Sequence, residues 1–183
     1  MYPKHQSIPK LLAVGALFVL GASFTILNKT EPAVNGRDDP KTEKLKLQPG
    51  FKAEHLYSPS ENNQGSWVSM TFDDKGRMIV SDQYGGLFRL KIPAIGAGTT
   101  PSIEKLEIGK AVGTDTVGMG YAQGLLYAFN SLYVMINNRS NPKFSRGSGL
   151  YRLQDTNNDD QFDKVTVLRT FKGEGEHGPH SIV

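Results

Sequence analysis

"GLFRL" at Gly86–Leu90 recurs 63 residues later as "GLYRL" at Gly149–Leu153. Each copy is a glycine followed by a short apolar and aromatic run, which is typical of a β-strand that leaves a turn. Because similar strands surround both copies, the sequence predicts two four-stranded units of one repeat. A repeat of this length that is built only of strands is typical of a β-propeller blade. The alternative is a coincidental match within an all-β sandwich.

Short strands separated by turns are predicted on both sides of each copy. The strands of the first unit are Trp67–Phe72, Arg77–Asp82 and Leu87–Ile92, with 102–109 as a possible fourth. Those of the second are Gly124–Phe129, Leu132–Asn137, Gly149–Gln154 and Asp163–Phe171. Turns 73–76 and 83–86 carry Asp or Gly where positive φ is expected, and Asn130 and Ser131 form the expected turn of the second unit. An inserted loop, 138–147, explains the greater length of the second unit.

The composition is typical of an all-β fold that is rich in turns. Only 38% of the residues are hydrophobic, whereas 20 Gly and 10 Pro are present, which favours short strands over long helices. The absence of cysteine excludes disulfides, thiolate metal sites, thiol nucleophiles and any lipid or haem attached through a thiol.

The formal net charge of +3 comes from the N-terminal part of the chain. Residues 1–50 hold seven Lys and Arg against four Asp and Glu, so residues 51–183 hold the remaining fourteen of each. The predicted folded part is therefore neutral and has no basic stripe, and no nucleic-acid partner is expected.

The first 27 residues have the pattern of an export signal. A basic head precedes 17 uncharged, mostly apolar residues, 11–27, which predicts a signal peptide or an uncleaved signal anchor. A buried core helix is the alternative. Residues 28–50 are a polar linker, and the partial propeller spans 51–183, with blade one at about 51–110, blade two at about 120–171 and the start of blade three at 176–183. We expect an exported protein, either periplasmic or anchored in the membrane facing the periplasm.

The last eleven residues, "GEGEHGPHSIV", carry two histidines three residues apart, His177 and His180. They fall where a third copy of the repeat would begin, so the chain is expected to be the front part of a longer protein. An imidazole placed near a substrate can accept the proton of an alcohol. Two ordinary solvated loop histidines, or a pair of metal ligands, are the alternatives.

The stretch "DTNNDDQFD", 155–163, has oxygen-bearing side chains at the spacing of a calcium loop. Asp155, Asn157, Asp159 and Asp163 would occupy positions 1, 3, 5 and 9 of that loop. However, Asp160 stands where the loop requires glycine. The alternative is a polar hairpin turn, since Asp and Asn form turns without any ion, and a bound ion would have only a structural role.

The strand-rich stretches "MTFDDKGRMIVSDQYGGLFRL", "GLLYAFNSLYVMINN", "GLYRLQDTNNDDQFDKVTVLRTF" and "GEHGPHSIV" together resemble bacterial membrane-associated dehydrogenase-like proteins. These are relatives of the soluble quinoprotein glucose and sorbosone dehydrogenases, and the resemblance covers residues 45–183. It implies a six-bladed propeller that binds pyrroloquinoline quinone (PQQ) and calcium in its central channel.

The resemblance also implies a chemistry and a set of site residues. His177 matches the family's general base, which acts on a sugar or alcohol hydroxyl during hydride transfer to the quinone. Gln123 matches a cofactor contact, and His180 is a second candidate contact. A cytochrome-type acceptor would reoxidise the cofactor, and the present chain is expected to be inactive by itself. A non-catalytic propeller that binds glycan or protein is the alternative function.

Overall fold

The computed structural model describes residues 40–98, 100–108, 118–138, 146–173, 175 and 178–182. They all belong to one compact unit, Asn35–Val183. The predicted export segment 1–27 lies outside the described residues. Within the described ranges, no helix is both long and apolar enough to cross a membrane.

The described part of the chain is almost entirely β-structure. Helix α1, Pro40–Glu43, and a 3-10 turn, Pro59–Asn62, precede the strands. The strands are β1 Trp67–Phe72, β2 Met78–Asp82, β3 Leu87–Lys91, β4 Ser102–Leu106, β5 Ala122–Ala128, β6 Ser131–Ile136, β7 Gly149–Gln154 and β8 Lys164–Thr170. They form two antiparallel sheets in sequence order, β1 to β4 and β5 to β8. The two predicted four-stranded units are confirmed; the sheets are open, and the propeller stays a prediction.

The first three strands of the two sheets share one register, whereas the pairing of β7 with β8 has a bulge that the pairing of β3 with β4 lacks. The sequence repeat is therefore also a structural repeat over these three strands. The first strand of each sheet carries a β-bulge one residue after its start, at Val68 in β1 and at Gln123 in β5. The aromatic residue of the repeated pentapeptide, Phe88 or Tyr151, pairs with a valine of the preceding strand in both sheets. Two residues that occupy the same register position in the two sheets, such as Phe88 and Tyr151, are called counterparts.

One insertion makes the second four-stranded unit longer in sequence than the first. Asp82 and Leu87 are separated by four residues, whereas their counterparts Ile136 and Leu150 are separated by thirteen. The inserted loop expected between the second and third strands is therefore confirmed, although 139–145 lie outside the described residues.

The main core lies between the two sheets. Its buried members are Ile79, Leu87, Leu106, Ile108, Met119, Ala122, Leu125, Leu132, Val134, Ile136, Tyr151, Leu153 and Phe162. Burying each large side chain contributes about 1.5–3 kcal/mol. Side chains alternate between the two faces of a sheet. The inner face of each sheet is the one that packs against the other sheet. Each sheet also has an outer face.

The outer face of the first sheet is apolar and partly exposed. Val80, Phe88 and Leu90 form a small second cluster there. On the edge strand β1, Met70 is 62% exposed and Phe72 is 51% exposed. An apolar face of this kind is suited to further packing.

Two turns differ from the sequence expectation. Phe129 and Asn130, with φ of 50° and 51°, join β5 to β6 one residue earlier than predicted. In turn 83–86 no glycine has positive φ; Gly85 instead avoids overlap, since a Cβ there would meet the Asp82 carboxylate. Gly76, with φ of 71°, agrees with the expectation for turn 73–76.

Phe129→Asn is expected to raise the free energy of unfolding by about 1 kcal/mol. The left-handed backbone costs an ordinary L-residue roughly 1–2 kcal/mol, and asparagine tolerates it better. Since Phe129 is 90% exposed, little packing is lost. Urea unfolding measures the change. Phe129→Ala is the control, because it removes the ring and keeps the strain; equal stabilisation by both variants would assign the gain to the ring.

Candidate functional site

The predicted cofactor contact Gln123 lies at the bulge in β5. A bulge takes a residue out of the regular alternation and redirects its side chain. Gln123 is half-buried at the end of the second sheet where β5 begins. Its amide can donate two hydrogen bonds and accept two, so this position suits contact with a polar ligand.

The main-chain carbonyl of His180 lies close to β5. A Cβ at Gly124 would overlap the main-chain carbonyl of His180 and would stand 3.2 Å from the Cβ of Met135. Glycine is therefore required where this carbonyl meets β5.

A main-chain carbonyl of the second sheet also contacts the first sheet. Ser81 Oγ donates a hydrogen bond of 2.8 Å to the main-chain carbonyl of Ala122. In the second sheet the counterpart of Ser81 is Met135, which pairs with Gly124. The His180 carbonyl thus lies at the position in the second sheet that corresponds to the position of the Ala122 carbonyl in the first.

The imidazole of His180 is half-buried and held by its own main chain. Its Nδ1 contacts the carbonyl oxygen of Gly178. Since a carbonyl oxygen only accepts, Nδ1 must donate, and in the neutral ring Nε2 keeps its lone pair. In that neutral form, Nε2 of His180 can accept a hydrogen bond.

The structure brings the segments of Gln123 and His180 to one end of the second sheet. His177, the predicted base, lies outside the described residues, so its role stays a prediction. The roles of Gln123 and His180 as cofactor contacts also stay predictions.

Three buried polar residues that the sequence interpretation did not single out stabilise this end of the sheet. Asn137 Nδ2 donates to the Gly175 carbonyl at 2.5 Å. Ser148 Oγ accepts from the Asn138 main-chain N–H at 3.0 Å and lies 2.6 Å from the Gly173 carbonyl. Two asparagines directly after an apolar strand were the available signal, since such side chains bond main-chain groups.

The predicted calcium loop lies at the opposite end of the second sheet, between β7 and β8. The carboxylates of Asp155 and Asp163 accept main-chain N–H groups of the loop at 2.9 and 3.0 Å. Asn157 and Asp159 each accept from the N–H two residues further on, at 3.1 and 2.9 Å. This pattern is typical of a polar hairpin turn. Among the described residues, no three His, Cys, Asp or Glu side chains are grouped so that they could hold a metal ion, and calcium binding stays a prediction.

Asp160, in the same loop, connects the second sheet to the first. Arg77 donates to its two oxygens at 2.5 and 2.7 Å, and Lys75 donates at 2.7 Å. Arg89, only 5% exposed, approaches at 3.4 Å and also pairs with Glu104 on β4. The hydrogen bonds from Arg77 hold the pKa of Asp160 well below its usual range, against a smaller opposing effect of burial.

A cavity of about 250 Å³ adjoins this ion network, lined by residues of both sheets. Burial, together with hydrogen bonding to Asp74, raises the pKa of Tyr127 to about 12. Arg77 Nε donates to Asp73 at 2.7 Å as well as binding Asp160. Because these charges pair with one another across the sheets, we interpret the cavity as a structural junction.

Comparison with protein-family models, curated proteins and solved structures found no match to this chain. The family resemblance therefore stays a prediction that rests on the residues themselves.

Proposed function

We propose that the two sheets are neighbouring blades of a β-propeller and that residues 178–182 begin a third. The register shared by the first three strands of each sheet and the matching positions of the Ala122 and His180 carbonyls support this arrangement. The exposed Met70 and Phe72 are counterparts of Leu125 and Tyr127, which pack between the sheets. In a closed ring of blades, each of the two outer faces would pack against a further sheet.

Within such a ring, the proposed function is PQQ-dependent oxidation of a sugar or another alcohol. The observation that carries the proposal is the half-buried His180, with Nε2 left as an acceptor, beside the strand that bears Gln123. Half-buried polar groups at one end of the sheets suit part of a site for a flat cofactor. When bound, PQQ would supply the acceptor for the hydride that leaves the carbon bearing the hydroxyl.

The chain's own residues then position the substrate and take the proton. His177, as general base, accepts the hydroxyl proton while the carbonyl group of the product forms. Gln123 and His180 orient the cofactor through hydrogen bonds. The reduced cofactor would pass its electrons to an acceptor of the cytochrome class. Segment 1–27 would export the protein to the periplasm or tether it there.

Calcium bound by Asp155, Asn157, Asp159 and Asp163 would have a different role. Strand β7 has six residues, so this loop lies about 20 Å from the Gln123 end at roughly 3.3 Å per residue. An ion there would stiffen the hairpin and would not contact the cofactor.

The test is calorimetric titration of PQQ into the complete gene product, with and without calcium. We expect binding that His180→Ala weakens about tenfold, the loss of roughly one hydrogen bond to a charged or polar partner. His55→Ala is the matched control, because His55 is an exposed histidine before the first strand, and its affinity should equal that of the wild type. If the complete protein binds no quinone and oxidises no alcohol, the propeller is a binding module for glycan or protein.

A further inference from the structure

Arg152 lies on the outer face of the second sheet. Its neighbours Tyr151 and Leu153 belong to the core between the sheets, so the alternation of the strand directs Arg152 to the opposite side. It is the counterpart of Arg89, because each arginine occupies the fourth position of the repeated pentapeptide and matches in register.

The two arginines differ in their partners. Arg89 lies on the inner face of the first sheet and pairs with Asp160 of the second sheet and with Glu104 of its own. The Nε of Arg152 is buried but has no hydrogen-bond partner among the described residues. Thr166 pairs with Arg152 where Glu104 pairs with Arg89, so the second sheet lacks that acid. A buried donor without a partner destabilises a fold.

We propose that the outer face of the second sheet binds a further four-stranded sheet of this repeat. The loop between the third and fourth strands of that sheet supplies a carboxylate to Arg152, as Asp160 does to Arg89. Half-buried Leu126, Tyr133 and Leu150 lie on the same face and provide its apolar contact. The His180 carbonyl already lies against Gly124 of β5, where the first strand of such a sheet would begin. The proposal rests on the propeller arrangement and adds the contact that selects the neighbour.

The first experiment compares Arg152→Met with Arg89→Met in the chain of residues 1–183. Methionine keeps the aliphatic volume of arginine and removes the charge. We expect Arg152→Met to leave the melting temperature unchanged or to raise it, whereas Arg89→Met lowers it by about 4 °C or more. Equal destabilisation by the two variants would overturn the proposal, because Arg152 would then already have its partner.

The second experiment supplies the neighbour from the chain itself. When His180 is aligned with Ala122, Val183 is aligned with Leu125. The extended chain therefore continues after Val183 with a second copy of residues 126–171, which completes a third sheet. In this extended chain Arg152→Met should lower the melting temperature by about as much as Arg89→Met does. Replacing the duplicated copy of Asp160 with asparagine should remove most of this effect, so that adding Arg152→Met to that replacement causes little further loss.

Both possible failures are informative. The docking proposal is overturned if Arg152→Met does not lower the melting temperature of the extended chain. It is also overturned if the added residues bring no additional strand signal in circular dichroism. Neither result depends on quinone. Loss of PQQ binding in the complete gene product, with the Arg152 coupling intact, would instead reject the proposed activity and keep the docking surface.

Discussion

Asp160→Ala is expected to lower the free energy of unfolding by about 2 kcal/mol at pH 7. The change removes a two-point contact with Arg77 and one of the two carboxylates that face the buried Arg89. Asp160 is itself 39% exposed, so solvent screens part of the interaction, and the loss falls below that of a fully buried ion pair. Urea unfolding measures it.

The effect of Asp160 should depend on pH in a defined direction. Its pKa is lower in the folded protein than in the unfolded chain, so the folded state favours the ionised carboxylate. The contribution is therefore complete above the unfolded pKa of about 4. It decreases as the pH falls below that value, and the difference between the wild type and Asp160→Ala should shrink with it.

Asp159→Ala is the matched control for this prediction. Asp159 is exposed, and among the described residues it accepts hydrogen bonds from its own loop, from Asn157 and Gln161. We expect Asp159→Ala to lower the free energy of unfolding by less than half as much as Asp160→Ala does at pH 7. Equal effects of the two variants at every pH would mean that Asp160 contributes nothing across the sheets.

The contrast between the strands and Asp160 illustrates what a sequence reveals. The strand pattern around "GLFRL" and "GLYRL" is local, because alternation and turn residues act over a few positions; the two sheets could therefore be predicted, with strand ends within about three residues. Asp160 was noticed only as a departure from a calcium loop. Its cationic partners lie between 71 and 85 residues away in the chain, and no local pattern indicates such a pairing.

The candidate site shows the same division. Gln123 was selected through the family resemblance and His180 as one of two histidines at the expected start of a third unit, yet nothing in the sequence indicates that Gly124 lies against the His180 carbonyl. A glycine within a strand signals a bulge or a close backbone approach, but not the identity of the approaching segment. The buried Asn137 is similar, since its bond to the Gly175 carbonyl joins residues 38 positions apart.

Gly124→Val tests that close approach directly, and we expect it to lower the free energy of unfolding by about 3 kcal/mol. By strand propensity alone the change should stabilise the protein, because valine favours a strand and glycine weakens it. The opposite sign follows from the structure, since the new Cβ would overlap the main-chain carbonyl of His180. A main-chain atom cannot rotate away, so either residues 178–182 are displaced or β5 is distorted.

The control for Gly124→Val is the same substitution in a chain that ends at residue 177. Without the His180 carbonyl, the overlap disappears, and most of the loss should disappear with it, leaving only the cost of the 3.2 Å contact with Met135 Cβ. Hydrogen exchange of residues 178–182 in the longer chain should also become faster when valine is present. If the loss is equal in both chains, the Met135 side chain, 3.2 Å from the same Cβ position, is its cause. In that case residues 178–182 do not lie against β5, and a third sheet that begins with them loses its main support.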